Sequence, residues 1–340
     1  MHRPPTFDSR RRWLRWLALA APGSWTTLGL ADAAAQPAAT NAMEPGAASS
    51  PPPRSGKTPL SPTLDNGAAA RGSAVTYPTL VPGRPLVFPR DHGAHPDYRT
   101  EWWYLTGWLQ RPGAAGPCGV QITFFRSRTG HSPANPSRFA PHQLILAHVA
   151  LALPERHALL HDQRAARQGF GLTDAKLDDT DVRLDDWTLR RDADDRYHAD
   201  LRAQGFALRL TFTAIAPPFA QGDRGFSRKG PRPEQASYYY SRPQLAVDGT
   251  LAIDGDSGPT NVEGRAWLDH EWSSEILDAQ ASGWDWCGLN LDDGSALMAF
   301  VVRGAERTVI WSDARWISAT GMGSKGSKGS KGSKGSKGSK

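Results

Sequence analysis

Three short segments of the sequence place ionisable side chains directly beside tryptophans. They are the strings Glu-Trp-Trp-Tyr at 101–104, Trp-Leu-Asp-His-Glu-Trp at 267–272 and Trp-Asp-Trp at 284–286. A carboxylic acid beside indole rings in a dry pocket has a raised pKa and can donate a proton at neutral pH. Indole and phenol rings also stabilise a developing cation. Together these residue types indicate acid catalysis on an alkene.

Strand periodicity sorts these residues onto faces. In an extended strand, Glu101 and Trp103 share one face while Trp102 and Tyr104 share the other. Likewise His270 and Trp272 lie opposite Asp269 and Glu271, and Trp284, Trp286 and Asn290 lie opposite Asp285. The pattern does not say which face is interior. A packing role for the tryptophans, with the carboxylates paired to Arg99 or Arg265, is the alternative.

Other chemistries have weaker sequence support. His92 and His95 lie near Asp91, but there is no HExxH or CxxC pattern, and adjacent residues of a strand point in opposite directions. We therefore expect neither a metal nor a cofactor. Ser273 and Ser274 lack the Gly-x-Ser-x-Gly frame of serine hydrolases. No glycine-rich phosphate loop precedes a helix.

The elements that must position these residues are strands. Alternating or β-branched runs occur at 101–109, 120–126, 144–153, 187–191, 196–203, 207–213, 244–253, 261–272, 283–291, 296–303 and 308–314. Asp292-Asp293-Gly294-Ser295 is a hairpin turn. No long segment between the two ends of the chain shows the 3.6-residue helical period. We therefore expect an all-β protein, either a barrel or a sandwich.

The two ends of the chain are not expected to fold. Residues 1–35 carry Ser9-Arg10-Arg11-Arg12-Trp13-Leu14-Arg15, an apolar stretch and small-residue cleavage sites, which predicts a twin-arginine signal peptide. Residues 36–84 are rich in Pro, Ala, Ser and Gly, as in a disordered spacer. Residues 321–340 end in six Gly-Ser-Lys repeats, a low-complexity tail.

The charge of the chain lies mainly in these ends. The net charge of the whole chain is +6. The tail carries six Lys and the leader three net positive charges, which leaves a net charge of −3 on residues 36–320. The lysines of that region are Lys57, Lys176 and Lys229, and we therefore expect no nucleic-acid binding. The cysteines, Cys118 and Cys287, lie in predicted strands and are more typical of two separate core residues than of a disulfide, although an oxidising compartment would permit one.

Three motifs resemble those of the AttH and carotenoid 1,2-hydratase family, whose members are often labelled secreted hydrolases. The first is Phe88-Pro89-Arg90-Asp91-His92-Gly93-Ala94-His95-Pro96, which continues into Thr100 to Gly107. The others are Trp267 to Ser274 and Gly283 to Leu291. The resemblance covers roughly residues 85–320, and the closer similarity is to the AttH-like secreted branch.

The resemblance implies two consecutive lipocalin-like β-barrels, at 85–274 and 275–320. The tail replaces the last strands of the second barrel, which we therefore expect to be incomplete, easily cut by proteases and apolar on its surface around Leu289, Met298, Phe300 and Ile310. Relatives are exported, and some associate with an ABC exporter. Hydratase relatives add water to a terminal isoprenoid double bond without a redox cofactor.

The resemblance and the clustering together select the candidate site. The His-x-Trp element of the hydratase site matches His270 and Trp272, and Asp285 is assigned as proton donor by extrapolation. We expect His270, Trp272, Trp284, Asp285 and Trp286 to border one cavity. The candidate catalytic residues are His270, Asp285, Asp269 and Glu271, and the candidate substrate-binding residues are Trp272, Trp284, Trp286, Trp102, Trp103, Tyr104, Glu101 and Asn290.

Two functions follow from these patterns. The first is an exported hydratase or hydrolase, periplasmic or secreted, that acts on an apolar isoprenoid or lipid by acid catalysis. The second is a lipocalin-like lipid-binding protein without chemistry, accessory to an ABC exporter. A barrel of about eight strands can enclose one small ligand, so the expected fold permits both.

Overall fold

The computed structural model describes residues 75–275 and 277–319 of the chain. The predicted signal peptide, most of the predicted spacer and the Gly-Ser-Lys tail lie outside these residues. The structure is all-β, as the sequence predicts, with three single-turn 3-10 helices at Arg90–His92, Pro154–Arg156 and Ala305–Arg307. No helix among the described residues is long and apolar enough to cross a membrane.

Thirteen strands form one antiparallel sheet. They are β1 Thr100–Gln110, β2 Cys118–Arg128, β3 Gln143–Leu153, β4 Ala158–Arg167, β5 Thr173–Ala175, β6 Asp181–Leu184, β7 Trp187–Arg191, β8 Arg196–Ala203, β9 Phe206–Thr213, β10 Phe219–Ala220, β11 Phe226–Arg228, β12 Ala236–Ile253 and β13 Thr260–Glu275. Three further strands, β14 Gly283–Asn290, β15 Ala296–Arg303 and β16 Val309–Ile317, form a small separate sheet.

The large sheet curls into a nearly closed barrel. Its order is β4-β3-β2-β1-β13-β12-β9-β8-β7-β6-β5, while β10 and β11 pair with the end of β12. The two ends of this order approach each other where Arg164 of β4 pairs with Asp185, in the turn after β6. Curling of this kind hides most edge backbone groups, which is how lipocalin-like barrels avoid exposed edges.

Alternation along the strands builds the barrel core. In β1, Trp103, Leu105 and Leu109 are fully buried, whereas Trp102 and Tyr104 on the other face are only partly buried. The same face of β2 supplies Phe124 to this core. The face assignments predicted for β1 are therefore confirmed.

Both faces of β13 are buried over its second half. The strand alternates up to Ala266, but every residue from there to Ser273 is buried. The reason is that the small sheet packs on the outer face of β12 and β13, where Met298 and Phe300 join Trp267 and Tyr239 in a second apolar cluster. The expectation that Met298 and Phe300 form an exposed apolar surface is therefore wrong. Leu289 and Ile310 are partly buried.

The folded region also includes part of the predicted spacer. Leu80 is buried in the barrel core, and the backbone N–H of Val81 donates to the hydroxyl of Tyr238 at 2.9 Å. The two cysteines are free thiols, with Cys118 buried and Cys287 exposed, so no disulfide forms. Cys118 is thus the small core residue that the sequence predicts, whereas Cys287 is not, because it lies on the edge strand of the small sheet.

Candidate functional site

Two polar clusters lie back to back on opposite faces of β13. We call the group inside the barrel the inner cluster; it comprises His92, His95, Glu101, His270 and Tyr240. The group beneath the small sheet, the intersheet cluster, comprises Asp269, Glu271, Tyr239, Trp267 and Trp286. Asp269 and His270 are consecutive in the sequence but belong to different clusters, because successive residues of a strand point to opposite faces.

Glu101 is the centre of the inner cluster. Its Oε1 accepts hydrogen bonds from His95 Nδ1 at 2.7 Å and His270 Nε2 at 2.8 Å, and its Oε2 accepts from Arg126 Nε at 2.7 Å. Burial alone would raise the pKa of this carboxyl, but the charges of His95 and Arg126 and these hydrogen bonds hold it well below its usual range. Glu101 is therefore a buried, ionised anchor rather than a proton donor.

Aromatic rings hold the histidines of the inner cluster in place. The His95 ring stacks on Trp272 with centroids 3.7 Å apart, and the His270 ring stacks on Trp103 at 4.6 Å. Burial lowers the pKa of His270, which favours its neutral form. Tyr240 lies between two rings, 3.1 Å from His270 Nδ1 and 2.9 Å from His92 Nδ1.

His95, Glu101 and His270 are also the residues that could hold a metal ion within the described part of the chain. The two imidazole nitrogens already lie at hydrogen-bond distance from one oxygen of Glu101, and Arg126 places a cation on the other. The donors and acceptors satisfy each other without an ion, so the geometry is that of a hydrogen-bonded network. We assign no metal chemistry to it.

Asp269 is the carboxyl of the intersheet cluster with the environment of a proton donor. It is buried between the sheets, and its Oδ1 accepts hydrogen bonds from Trp267 Nε1 at 2.6 Å and from the hydroxyl of Ser241 at 2.5 Å. Burial, supported by the nearby charge of Glu271, raises the pKa of Asp269 to about 7. At neutral pH this side chain can therefore give and take a proton.

Glu271, unlike Asp269, forms an ion pair. Lys229 Nζ lies 2.9 Å from Glu271 Oε1, which also accepts from the hydroxyl of Ser237. The ammonium of Lys229 sits over the rings of Tyr239 at 4.6 Å and Phe300 at 4.2 Å. These contacts keep Glu271 as a structural ion pair at the sheet interface.

Aromatic rings surround the Asp269 carboxyl. Trp286 of the small sheet meets Trp267 edge-on at 6.1 Å and Tyr104 at 5.5 Å, and its indole N–H lies 3.3 Å from the hydroxyl of Tyr239. The face of an indole or phenol ring can stabilise a cation formed next to the carboxyl. The intersheet cluster therefore combines an acid with an aromatic wall.

Two surface clefts occur in the described part of the chain. One, of about 440 Å³, lies between the segment Tyr77–Leu80, Arg99 and Arg232. The other, of about 400 Å³, opens beside Gln280, Gly304 and Ile310. Ile310 also packs on the apolar cluster that holds Trp267 and Tyr239, but Asp269 lines neither cleft.

The predicted site residues divide among the barrel interior, its outer face beneath or beside the small sheet, and the exposed start of β14. Glu101, Trp103, His270 and Trp272 lie in the barrel, and Asp269, Glu271, Tyr104 and Trp286 lie on its outer face or beneath the small sheet. Asn290 joins the second group by donating to the Ala266 carbonyl at 3.0 Å. Trp102 is partly buried on the outer face of β1.

The structure does not bring Asp285 to His270. Asp285 is exposed and pairs with Arg303 at 2.8 Å, and Trp284 is exposed beside it. The expectation that these residues border one cavity is wrong, because Asp285 lies on the face of β14 opposite Trp286, whereas His270 lies inside the barrel. The role of Asp285 as proton donor stays a prediction that its position does not support.

Sequence reasoning did not find Tyr239 and Ser241, which lie beside Asp269, or Gln221, which bonds Ser241. The run Tyr238-Tyr239-Tyr240 was a signal, since three consecutive tyrosines place phenol groups on both faces of one strand. Ser241 and Gln221 carry no such signal. The position of Ser241 depends on the pairing of β12 with β13, and that of Gln221 on the loop after β10.

The fold and the two clusters define a lipocalin-like barrel protein with a smaller second sheet. The AttH-like family model matches residues 79–330, so the chain belongs to the AttH-like family, as its motifs predicted. The crystal structure of a candidate AttH protein from Nitrosomonas europaea is 50% identical, with a TM-score of 0.66 over 72% of this chain and 73% of that one. Kievitone hydratase from Nectria haematococca shares the fold, with a TM-score of 0.51 and 12% identity over 72% of this chain and 69% of that one. A search among curated proteins found no match.

Proposed function

We propose that this protein is a hydratase that uses the carboxyl of Asp269 as its acid and takes an apolar, isoprenoid-like alkene as substrate. The single observation that carries the proposal is the buried Asp269, whose pKa burial raises to about 7, set among Trp267, Trp286 and Tyr239. A general acid is most effective when its pKa lies near the working pH. The fold shared with a hydratase is consistent with this chemistry but does not assign it.

Substrate must reach Asp269 by separation of the two sheets. Asp269 is only 3% exposed, so no path is open in the closed arrangement. In the described part of the chain the small sheet forms strand pairs only within itself. Apolar contacts and hydrogen bonds that involve side chains hold it on the large sheet. Such a contact can open without breaking a strand ladder.

Geranylgeraniol is a suitable probe because it ends in a trisubstituted alkene. We expect the full chain to convert it to a product that has gained one water, and Asp269→Asn to abolish this conversion while retaining the fold. The matched control is Asp285→Asn, which removes the exposed carboxylate. Loss of turnover in the Asp285 variant with normal turnover in the Asp269 variant would show that Asp285 is the proton donor.

The second candidate is a lipid-binding protein without chemistry, whose candidate ligand site is the cleft of about 440 Å³, a volume within the usual range of small-molecule sites. In that case the chain retains a lipid through purification, which native mass spectrometry detects, and no probe alkene is hydrated. The ABC exporter implied by the resemblance would then be its partner. Hydration of any probe would exclude this candidate.

Export by the twin-arginine route is a further part of the proposal, and it rests on Arg10 and Arg11. Replacing both with Lys should leave the precursor in the cytoplasm, whereas the unaltered chain reaches the periplasm or the medium. Cell fractionation measures this distribution. Normal export of the double variant would remove the assignment.

A further inference from the structure

A row of polar side chains crosses the outer face of the barrel at Asp269. Strand register places Thr123, Tyr104, Asp269 and Ser241 side by side on β2, β1, β13 and β12. Gln221, in the loop after β10, extends the row, because its Nε2 donates to Ser241 Oγ at 2.8 Å. Hydrogen bonds connect Asp269, Ser241 and Gln221 within the row, and strand register places Tyr104 and Thr123 on the other side of the acid.

While Asp269 accepts from Ser241, the hydrogen bonds of this row run from Gln221 through Ser241 to Asp269. Ser241 has a single hydroxyl proton, and it donates that proton to Asp269. Its oxygen must then accept from Gln221, so the amide nitrogen of Gln221 faces Ser241 and the amide oxygen faces away. This polarity fixes which atom of Gln221 is left over.

The Gln221 side chain is fully buried, and its Oε1 has no hydrogen-bond partner in the protein. The hydroxyl oxygen of Thr123, at the other end of the row, is also buried and without a partner. A buried polar atom without a partner is destabilising, and buried waters in native proteins bind to such atoms. Unpaired polar atoms therefore lie at both ends of the row that holds Asp269.

The backbone holds Gln221 firmly in this position. Its N–H donates to the Tyr239 carbonyl at 3.0 Å, and its own carbonyl accepts from Gly225 at 2.8 Å. Gly222 follows with φ +62, and a Cβ there would lie 2.2 Å from the Phe226 carbonyl oxygen. Only glycine permits this turn, which aims Gln221 at Ser241.

We propose that Gln221 Oε1 binds the water molecule that adds to the substrate, an inference that rests on the proposed hydratase function. The amide oxygen accepts a hydrogen bond from the water, which leaves a lone pair of the water oxygen free to attack. Asp269 and Gln221 then divide the reaction between them. The first supplies the proton and the second holds the nucleophile.

The step balances without a further reactant. The alkene π electrons form a C–H bond with the proton of Asp269, which leaves a tertiary carbocation and a carboxylate. The oxygen of the bound water forms the C–O bond, and one of its protons returns to the Asp269 carboxylate. Alkene and water become a tertiary alcohol, and the acid is restored.

Deuterium exchange separates the two roles. In D₂O, protonation without water capture returns deuterated alkene, because the carbocation loses a proton again. We expect Gln221→Met to reduce alcohol formation from geranylgeraniol by about 100-fold while deuterium still enters the recovered alkene. Asp269→Asn should lose both signals. Gln235→Met is the matched control, since Gln235 is equally buried but its amide bonds Asp278 and Arg232.

Two outcomes of the exchange experiment would overturn the inference while leaving the hydratase proposal standing. One is normal alcohol formation by Gln221→Met, and the other is equal loss of alcohol and deuterium in a folded variant. A crystal structure at atomic resolution tests it independently of activity. We expect an ordered water within hydrogen-bond distance of Gln221 Oε1, and a dry amide oxygen would overturn the inference even if the wild type hydrates the probe. If the wild type neither exchanges nor hydrates, the proposed function fails together with this role.

Discussion

Asp269 and His270 are consecutive residues that burial drives to the same state by opposite shifts. Burial raises the pKa of the Asp269 carboxyl to about 7 and lowers the pKa of the His270 imidazole. Both shifts favour the neutral form, since a low-dielectric environment penalises charge. Glu101, one strand away, remains charged because Arg126 and two histidines compensate it. Pairing, and not depth alone, decides which carboxyl can act as an acid.

The raised pKa of Asp269 predicts a pH-dependent gain in stability for Asp269→Asn. The folded state holds this proton up to a pH of about 7, whereas the unfolded chain releases it near its ordinary value of 3.8. Wild-type stability from this group is therefore present at low pH and is lost as pH rises between about 4 and 7. The variant lacks this loss, so its stability relative to wild type should rise by on the order of a few kcal/mol from pH 5 to pH 8. Urea unfolding at both pH values measures it, and a constant difference would contradict the assignment.

Glu101→Gln should destabilise the barrel by about 3–5 kcal/mol at pH 7, because it leaves the buried Arg126 without its counter-ion. The pKa of Glu101 is depressed, so its contribution is present above its ordinary value of 4.5 and is lost as pH falls toward the folded value. The gap between wild type and variant should therefore narrow in acid. The exposed Glu263→Gln, on the same sheet, is the control for loss of one charge. A gap that widens in acid would refute this account.

At the scale of elements, β13 is the strand that joins the barrel to the small sheet. It pairs with β1 and β12 in the barrel, and its outer face carries the small sheet. The small sheet contributes Met298 and Phe300 to the interface. The two sheets share this core without sharing a strand ladder, and the hydrogen bonds between them involve side chains, as those of Trp286 and Asn290 do. This arrangement permits the small sheet to detach as a unit.

Gly288→Ala tests the docking of the small sheet. A Cβ at this position would lie 2.8 Å from the Trp267 ring and 2.7 Å from the Trp286 ring, so a ring or the strand itself must shift to make room. We expect a loss of about 1–3 kcal/mol in docking, visible as faster proteolysis after about residue 275 while β1 to β13 persist. Gly116→Ala, in an open loop, is the matched control. Cuts inside the barrel would show that the sheets do not open separately.

At the scale of the whole molecule, the two thiols report on folding. Burial raises the pKa of Cys118 to about 11, and its side chain is enclosed in the barrel, whereas Cys287 is exposed on β14. We expect a thiol reagent to modify one cysteine in the native protein and two in denaturant. Modification of neither thiol before reduction would reveal a disulfide and contradict the fold, because the two cysteines lie in different sheets.

Much of the fold was predictable because strands carry their signal locally. The alternation of apolar and polar residues located β1, β3, β8 and β15, and the turn at 292–295 located the hairpin of the small sheet. The short strands β5, β6, β10 and β11 were missed, since two to four residues give no detectable period. β4 was missed because it alternates only between partly buried and exposed residues.

The sequence by itself determined the all-β class, the AttH-like motifs and which side chains share a face of each strand. Those properties follow from a period of two residues and from local composition. Only the tertiary structure decided what covers each face, which separated Asp269 from His270, exposed Asp285 and brought Gln221 to Ser241. The physical reason is that the environment of a carboxyl depends on packing partners far away in the chain, such as Trp286 and Lys229, and local periodicity carries no information about them.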